Sequence, residues 1–336
     1  MRSLKLAEPC QICSTKNRNV ISEIGRDFKK LVTVICTGCG LIHAHPIPKK
    51  KELKEFYEKE YRLSYKSCLK PKLKHVFRYA TQAFERVKEI QKYTNKNQNT
   101  LLDIGSGSGE FLYMALKFGF DAKGIEPNIG YANYSKKYLD LPVENTTYDE
   151  AELKNQSYDI VNLVDVLEHL PEPLSCLSFI NRILKENGIL AISVPNIGLF
   201  SHSPLTQFHY AHIYNFNPQT LEAMLTKAGF KIMNPDKETT TLIVRKVREP
   251  NLQLDIIMND NYQLLQNQFN EQGYAHHYKT LKPYHRFARK CYQYTFEFFS
   301  TLFMRSPKKI LDYFYNKLSA FLTMLGFAFE FAIVDL

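Results

Sequence analysis

The opening residues, MRSLKLAEPCQIC, lack the apolar run that begins a secretory signal. A cytoplasmic, reducing setting is the expectation that follows, and it removes disulfides as the default use of the seven cysteines. Tryptophan is missing altogether, so aromatic bulk comes from 21 Tyr and 23 Phe. No internal repeat is visible, which sets repeat architectures aside. Acids are scarce in the first hundred residues, where 22 Lys/Arg face only 9 Asp/Glu. Residues 101–249 reverse the balance, with 13 against 18, and residues 281–336 return to 8 against 4. The positive charge therefore sits in the flanks. Such flanks suit a phosphorylated or acidic substrate, nucleic acid or an anionic membrane surface, and a merely solvated surface is the plain alternative.

A chain of 336 residues exceeds the usual single domain, and 44% hydrophobic content supports a sizeable core. Four segments are distinguishable. Residues 1–48 contain CQIC, a Val/Ile-rich run and CTGCG. Residues 49–99 are charged and helical in pattern, as in KKKELKEFYEKEYR and FRYATQAFERVKEIQKY, and end in a polar linker, NKNQN. Residues 100–249 alternate apolar strands, near 100–104, 122–126, 158–163 and 188–194, with helical patterns at 109–118, 129–139, 173–186 and 217–228. Such alternation argues a parallel sheet with helices on both faces. FKIMNP and TTTLIVRKV then read as two strands close enough for an antiparallel edge hairpin. Residues 250–336 are first polar, then aromatic and basic, with a helical extension expected. LSAFLTMLGFAFEFAIV carries one charge over 17 residues, at the lower limit of a membrane span. Packing against the main domain is one reading. Peripheral membrane contact, helped by Arg305, Lys308, Lys309 and Lys317, is the other.

The most informative stretch is LLDIGSGSGEFLYMALKFGFDAKGIEPN, residues 101–128. An apolar run ends in Asp103; Gly105, Gly107 and Gly109 follow, then a helical pattern and a second strand ending at Glu126. Glycines let the backbone approach a ligand closely and take positive φ. A carboxylate ending the second strand suits a ribose diol. The spacing is G-x-G-x-G, one residue tighter than the dinucleotide fingerprint, and with Asp103 it resembles motif I of the class I S-adenosylmethionine-dependent methyltransferases. SYDIVNLVDVLEHLPEP (157–173) resembles the fourth-strand motif of that superfamily, through Asp159, Asp165, Glu168, His169 and Pro171. ILKENGILAISVPN (183–196) and FHYAHIYNFNPQTLEAMLTKAGF (208–230) resemble its downstream elements.

The resemblance implies a doubly wound, seven-stranded, mostly parallel Rossmann-like sheet. It also implies S-adenosyl-L-methionine as cofactor and in-line methyl transfer, in which the protein chiefly positions the reactants and excludes water. Gly105, Ser106, Gly107 and Gly109 would approach the amino-acid part of the cofactor, with Asp103 orienting the loop or the amino group. Glu126 would take the ribose hydroxyls. Pro127 and Asn128 would flank the nucleoside, and Asp165 belongs to the segment that lines the cofactor. His169, His209 and His212 are the candidates for a general base, with Tyr210 and Tyr214 as substrate contacts. Histidines that merely bond loop carbonyls are the alternative.

Cys10 and Cys13 are separated by two residues, as are Cys36 and Cys39, and 22 residues divide the pairs. That is the spacing of a closed, structural zinc site; two redox pairs are the alternative. Cys68, Cys176 and Cys291 have no partner at ligand spacing and read as buried or free thiols. The following segment, CGLIHAHPIPKKKELKEFYEKEY, resembles the one after the zinc-binding module of certain small-molecule and sugar methyltransferases. His43 and His45 within it read as loop or substrate-facing residues. A small-molecule acceptor is therefore expected: a sugar nucleotide, a glycan or a lipid-linked intermediate. An RNA acceptor and a non-catalytic binding protein with a vestigial pocket stay open, although the N/D-P-P-Y/F signature of amino-nitrogen methylation is missing.

Overall fold

The computed structural model describes residues 2–49, 52–53, 71–95, 97–199, 206–234, 239–247, 260–271 and 279–319. The chain divides into two compact units, one of Met1–Tyr61 with Tyr148–Cys291, the other of Arg62–Thr147 with Tyr292–Leu336. The first unit begins with β1 (Ser3–Lys5), β2 (Asn17–Ile24), β3 (Lys30–Cys36) and β4 (Ile42–His45), each antiparallel to the next. The β-branched run of β3 suits a pleated, buried surface, and Val34, Ile35 and Cys36 are fully buried. The turn from β3 to β4 carries the second cysteine pair. Gly40 adopts φ +79°, and a Cβ there would meet Asn261 Nδ2 at 2.7 Å. Only glycine satisfies both demands.

The second unit opens with α1 (Leu73–Gln91). Val76, Phe77, Ala80, Ala83, Phe84, Val87 and Ile90 recur at helical spacing and form its buried stripe. Strands β5 (Thr100–Ile104), β6 (Asp121–Ile125) and β7 (Val143–Glu144) are parallel, with β6 between the other two. Their connections are α2 (Glu110–Lys117) and α3 (Ile129–Leu139). Helix α3 starts where Asn128 Oδ1 accepts from Tyr131 N, which satisfies one of the orphan donors of its first turn.

The first unit resumes with β8 (Tyr158–Val164), α4 (Pro173–Ile183) and β9 (Leu184–Ser193). Strands β8 and β9 are parallel, and their central residues, 160–163 and 189–192, are buried on both faces. Strand β10 (Tyr214–Asn215) pairs with β4 and completes a five-stranded antiparallel sheet. Helix α5 (Pro218–Lys227) begins with a reciprocal cap between Asn217 and Thr220 and has Pro218 at its first position. Strands β11 (Phe230–Ile232) and β12 (Thr241–Lys246) form the expected antiparallel hairpin, and β12 lies antiparallel to β9. Helix α6 (Asn261–Glu271) packs Leu265 against Ile35, Ile42, Ile197 and Phe208. The α/β strands thus number three in the second unit, all parallel, and four in the first, where β11 and β12 are antiparallel. This is a mixed Rossmann-like set.

Helix α7 (Lys282–Phe303) and helix α8 (residues 307–319) follow. Within the second unit, Arg78 of α1 donates from Nε at 2.7 Å and from Nη2 at 2.9 Å to the buried carboxylate of Glu297 on α7. Such a two-pronged, charge-assisted pair is strong and directional. Phe77 meets Phe314, Phe118 meets Tyr315, and Tyr113 donates to Asp312, so α8 is fastened to α1 and to the end of α2. Among the described residues no helix is long and apolar enough to cross a membrane. The apolar run at 318–334 and the segment KKKELKEFYEKEYR lie almost wholly outside the described residues, as does Cys68.

Candidate functional sites

The glycine-rich loop belongs to the second unit. Gly105 N and Ser106 N both donate to Ile125 O, at 2.9 and 3.0 Å, so the loop is strapped to the end of β6. Gly105, Gly107 and Gly109 all have positive φ, at 72°, 56° and 90°. At Gly109 a Cβ would also run into Leu141 Cδ1, so this position is closed to any side chain. Gly107 differs: the nearest atom to an added Cβ is Gly105 O at 4.0 Å. The open side of the loop is therefore at its middle glycine, where a ligand can approach the bare backbone.

Glu126 follows β6 and is buried. Its Oε2 accepts from Gly107 N at 2.8 Å and its Oε1 from Asn128 N at 2.9 Å. An ionised carboxylate has about four acceptor sites, so two remain for hydroxyls. Asn145 was not legible as a site residue. Its Nδ2 donates to Glu126 O at 2.8 Å and to Pro127 O at 3.0 Å, pinning the chain behind the carboxylate. The Ser106 hydroxyl is buried and has no hydrogen-bond partner among the described residues. Asp103 is buried one residue before the end of β5. The expected cofactor residues 103, 105–107, 109 and 126–128 are thus brought together on three short elements. Their groups fit a nucleoside amino acid: bare amides, a hydroxyl without a partner, and a buried carboxylate with acceptor capacity left.

Asp165, Glu168, His169, His209 and His212 belong to the first unit. Asp165 takes φ 51°, a left-handed conformation uncommon for non-glycine residues, though Asp adopts it more readily than most. Its N–H is held by Ser193 O at 2.9 Å. Glu168 is fully buried, and neither side-chain oxygen has a hydrogen-bond partner among the described residues. Burial pushes its carboxyl well above the ordinary range, and the charge of Asp165 adds to this. His169 Nδ1 lies 2.6 Å from Ala211 O. A carbonyl can only accept, so Nδ1 bears the proton and Nε2 is the other face of the ring, 3.6 Å from Glu168 Oε1. The His212 ring is 4.9 Å from that of His169 and 3.7 Å from that of His209. All three candidate bases therefore belong to one cluster, two of them buried and His212 half-buried.

Two expectations change. Tyr214 is buried as a strut, its hydroxyl donating to Pro171 O at 3.3 Å and accepting from Gln11 Nε2 at 3.0 Å, whereas Tyr210 is exposed. His43 lies on a strand and not on a loop. It sits buried on β4, accepting from Arg18 Nε at 3.2 Å, and burial pushes its imidazolium down to about 4.

The four N-terminal cysteines converge. Cys10 Sγ lies 3.6 Å from Cys39 Sγ, and Cys13 Sγ 3.5 Å from Cys36 Sγ. The close approaches run between the two knuckles, and all four sulfurs fall within 4.8 Å of one another. A disulfide needs about 2.05 Å. A tetrahedron with metal–sulfur bonds of about 2.3 Å places its sulfurs about 3.8 Å apart. The thiols shift one another strongly: bonds from Cys10, Cys36 and Cys39 hold Cys13 far below an ordinary thiol, while Cys36 and Cys39 are pushed far above it by Cys10 and Cys13. Cys176 is buried in the core and Cys291 is exposed. Sequence reading also missed what braces the knuckles. Gln11 accepts from Leu174 N, Lys227 Nζ donates to Gln11 O and Ile12 O at 2.7 and 2.8 Å, and Asn261 Nδ2 donates to Cys39 O at 2.8 Å.

Residues 73–234 match a family model described as a methyltransferase domain. A ubiquinone biosynthesis O-methyltransferase of Histophilus somni is 26% identical over 122 residues, covering 33% of this chain and 51% of that protein. One from Hydrogenovibrio crunogenus is 25% identical, covering 43% of this chain and 66% of its own. An uncharacterised protein of Methanocaldococcus jannaschii is 29% identical over 160 residues, 47% of this chain and 57% of that one. The chain thus spans about half to two thirds of the length of these relatives. Among solved structures, an S-adenosylmethionine-dependent methyltransferase of Thermotoga maritima, described as a possible histamine N-methyltransferase, is 19% identical with a TM-score of 0.43, covering 59% of this chain and all of that one.

Proposed function

We propose that the methyltransferase domain at residues 73–234 takes its methyl group from S-adenosylmethionine and delivers it to an oxygen of a small acceptor, such as a sugar nucleotide, a glycan or a lipid-linked intermediate. The observation that carries this reading is the loop built around Gly107 and Glu126, with its open backbone and its buried carboxylate. When bound, the cofactor supplies an activated methyl group on a positively charged sulfur. The chain's residues do the rest: Glu126 holds the ribose, Ser106 and the loop amides take the polar end, and Asn128 and Asn145 keep the carboxylate in place. The oxygen acceptor is supported by the names of the relatives and by the histidine cluster, in which His209, its ring 3.7 Å from that of His212, is the candidate to take a proton. Calorimetric titration of the full chain with S-adenosylmethionine, followed by transfer of labelled methyl groups to a panel of hydroxylated acceptors, tests it. Saturable binding with transfer to at least one acceptor is expected. No cofactor binding by folded protein would overturn the reading.

The cysteine cluster is read as a structural zinc site. The cross-knuckle sulfur spacing supports this over two redox pairs, whose sulfurs would approach within each knuckle.

We also propose peripheral membrane contact through the basic, aromatic C-terminal region, with α7 as its surface. Tyr284 and Phe287 are exposed there, Phe287 at 70%, beside Arg289 and Lys290, which are exposed as well. Aromatic rings among basic side chains suit the interface of an anionic bilayer. Co-sedimentation with vesicles should show binding to phosphatidylglycerol-containing but not purely zwitterionic vesicles. Phe287→Glu should weaken it several-fold, because one apolar anchor becomes a repelled anion. Equal binding to both vesicle types would refute the assignment.

A further inference from the structure

The geometry points to a second metal site, formed by Glu168, His169 and His212, that binds a divalent first-row transition ion and leaves coordination positions for oxygen ligands. The potential ligand atoms, one from each residue, lie within 4.8 Å of one another. Donors on one ion at about 2.1 Å are about 3–4.2 Å apart, so only small rotamer adjustments are required. Two features argue for a ligand here over a packed polar core. First, Glu168 is 1% exposed, and both its oxygens lack a hydrogen-bond partner among the described residues. A buried carboxylate without partners is costly and rare, and an ion supplies the missing partner. Second, His169 is already arranged as metal-binding histidines are, with Nδ1 given to a backbone carbonyl and Nε2 turned toward the carboxylate.

Two imidazoles and one carboxylate favour an ion of the manganese-to-zinc series over calcium or magnesium. Three protein ligands do not fill the coordination shell, and open positions mark sites that act on ligands, in contrast to the closed set of four sulfurs. The half-buried position of His212 gives access from solvent. The oxygen ligand is either water or a hydroxyl of a small acceptor. The second possibility rests on the methyl-transfer reading, whereas the site itself does not.

The experiment uses full-length protein with its cysteine site loaded with zinc, titrated with Co2+. Wild type should take up about one further equivalent, with visible bands of nitrogen and oxygen coordination and no thiolate charge-transfer band. Glu168→Gln and His212→Gln should each weaken this uptake by at least about tenfold, with zinc content unchanged. Because Glu168 is buried, that variant is accepted only if its circular dichroism matches wild type. His212→Gln alters a half-buried side chain and supplies the independent readout. No additional cobalt in wild type, a spectrum dominated by thiolate, or unchanged affinity in a folded variant would each overturn the proposal. Cobalt uptake by a protein that binds no S-adenosylmethionine would uphold the site and refute the methyl-transfer reading instead.

Discussion

Replacing Cys36 by serine is expected to empty the four-sulfur site and to loosen the antiparallel sheet around it. Cys36 is fully buried at the end of β3, and its sulfur approaches Cys13. Serine is a poor ligand for a soft thiolate-binding ion, and its hydroxyl would be buried where a sulfur stood. Apparent zinc-binding energies in small Cys-rich modules are about 10–16 kcal/mol, much of it folding energy. Even a fraction of that exceeds the ordinary cost of a core substitution. Metal analysis should fall from about one equivalent to below half. Amide exchange in β3 and β4 should accelerate by at least about a hundredfold, corresponding to about 2.7 kcal/mol. Cys176→Ser is the control, since that thiol is buried elsewhere and should leave metal content intact. Wild-type protein that is reduced, folded and free of metal would count decisively against the zinc reading.

Glu126→Ala should weaken S-adenosylmethionine binding by at least tenfold and abolish detectable transfer at low cofactor concentration. Two losses combine. The ribose loses its carboxylate, worth about 1.5–3 kcal/mol for hydrogen bonds to a charged group. The loop also loses the acceptor that orients Gly107 N and Asn128 N. Glu126→Gln separates these effects. Its carbonyl oxygen keeps one acceptor, so it should hold part of the loop while still losing affinity for the diol. Calorimetric titration reads both variants. An alanine variant that binds the cofactor as tightly as wild type would show that the ribose is held by other residues.

The parallel strands were legible because short apolar stretches, as at Leu101 and Leu102 or residues 189–192, alternate with helical patterns. β5 falls on residues 100–104 as expected, and α3 on 129–139. β9 begins at Leu184, ahead of the expected 188, because Leu184 pairs with Tyr158 before a register shift that local pattern does not reveal. The five-stranded sheet was not foreseen as such. Its last strand, β10, is two residues long and joins β4 from far along the chain. Such a pairing leaves no periodicity in either segment. At the sites, the glycines, the acid and the cysteines stood out because their spacing is chemically constrained. Asn145, Gln11, Lys227 and Asn261 did not, since a side chain that bonds a distant backbone carbonyl obeys no local spacing rule. The histidines were visible one by one. That His169, His209 and His212 share a cluster with the buried Glu168 was a matter of tertiary structure.

Gln11 sits between Cys10 and Cys13 and grips the chain beyond Glu168 and His169, donating to Pro171 O and to Tyr214 OH and accepting from Leu174 N. The first knuckle and the turn after β8 are consequently one mechanical element. Thermodynamic linkage makes such a connection reciprocal. Whatever free energy the occupied cysteine tetrahedron contributes to ordering that turn, a molecule that orders the turn returns as tighter retention of the ion. On the zinc reading, the rate at which a chelator strips the cysteines should report events at the histidine cluster. A hydroxylated acceptor that orders this turn should slow that release, independently of any transfer.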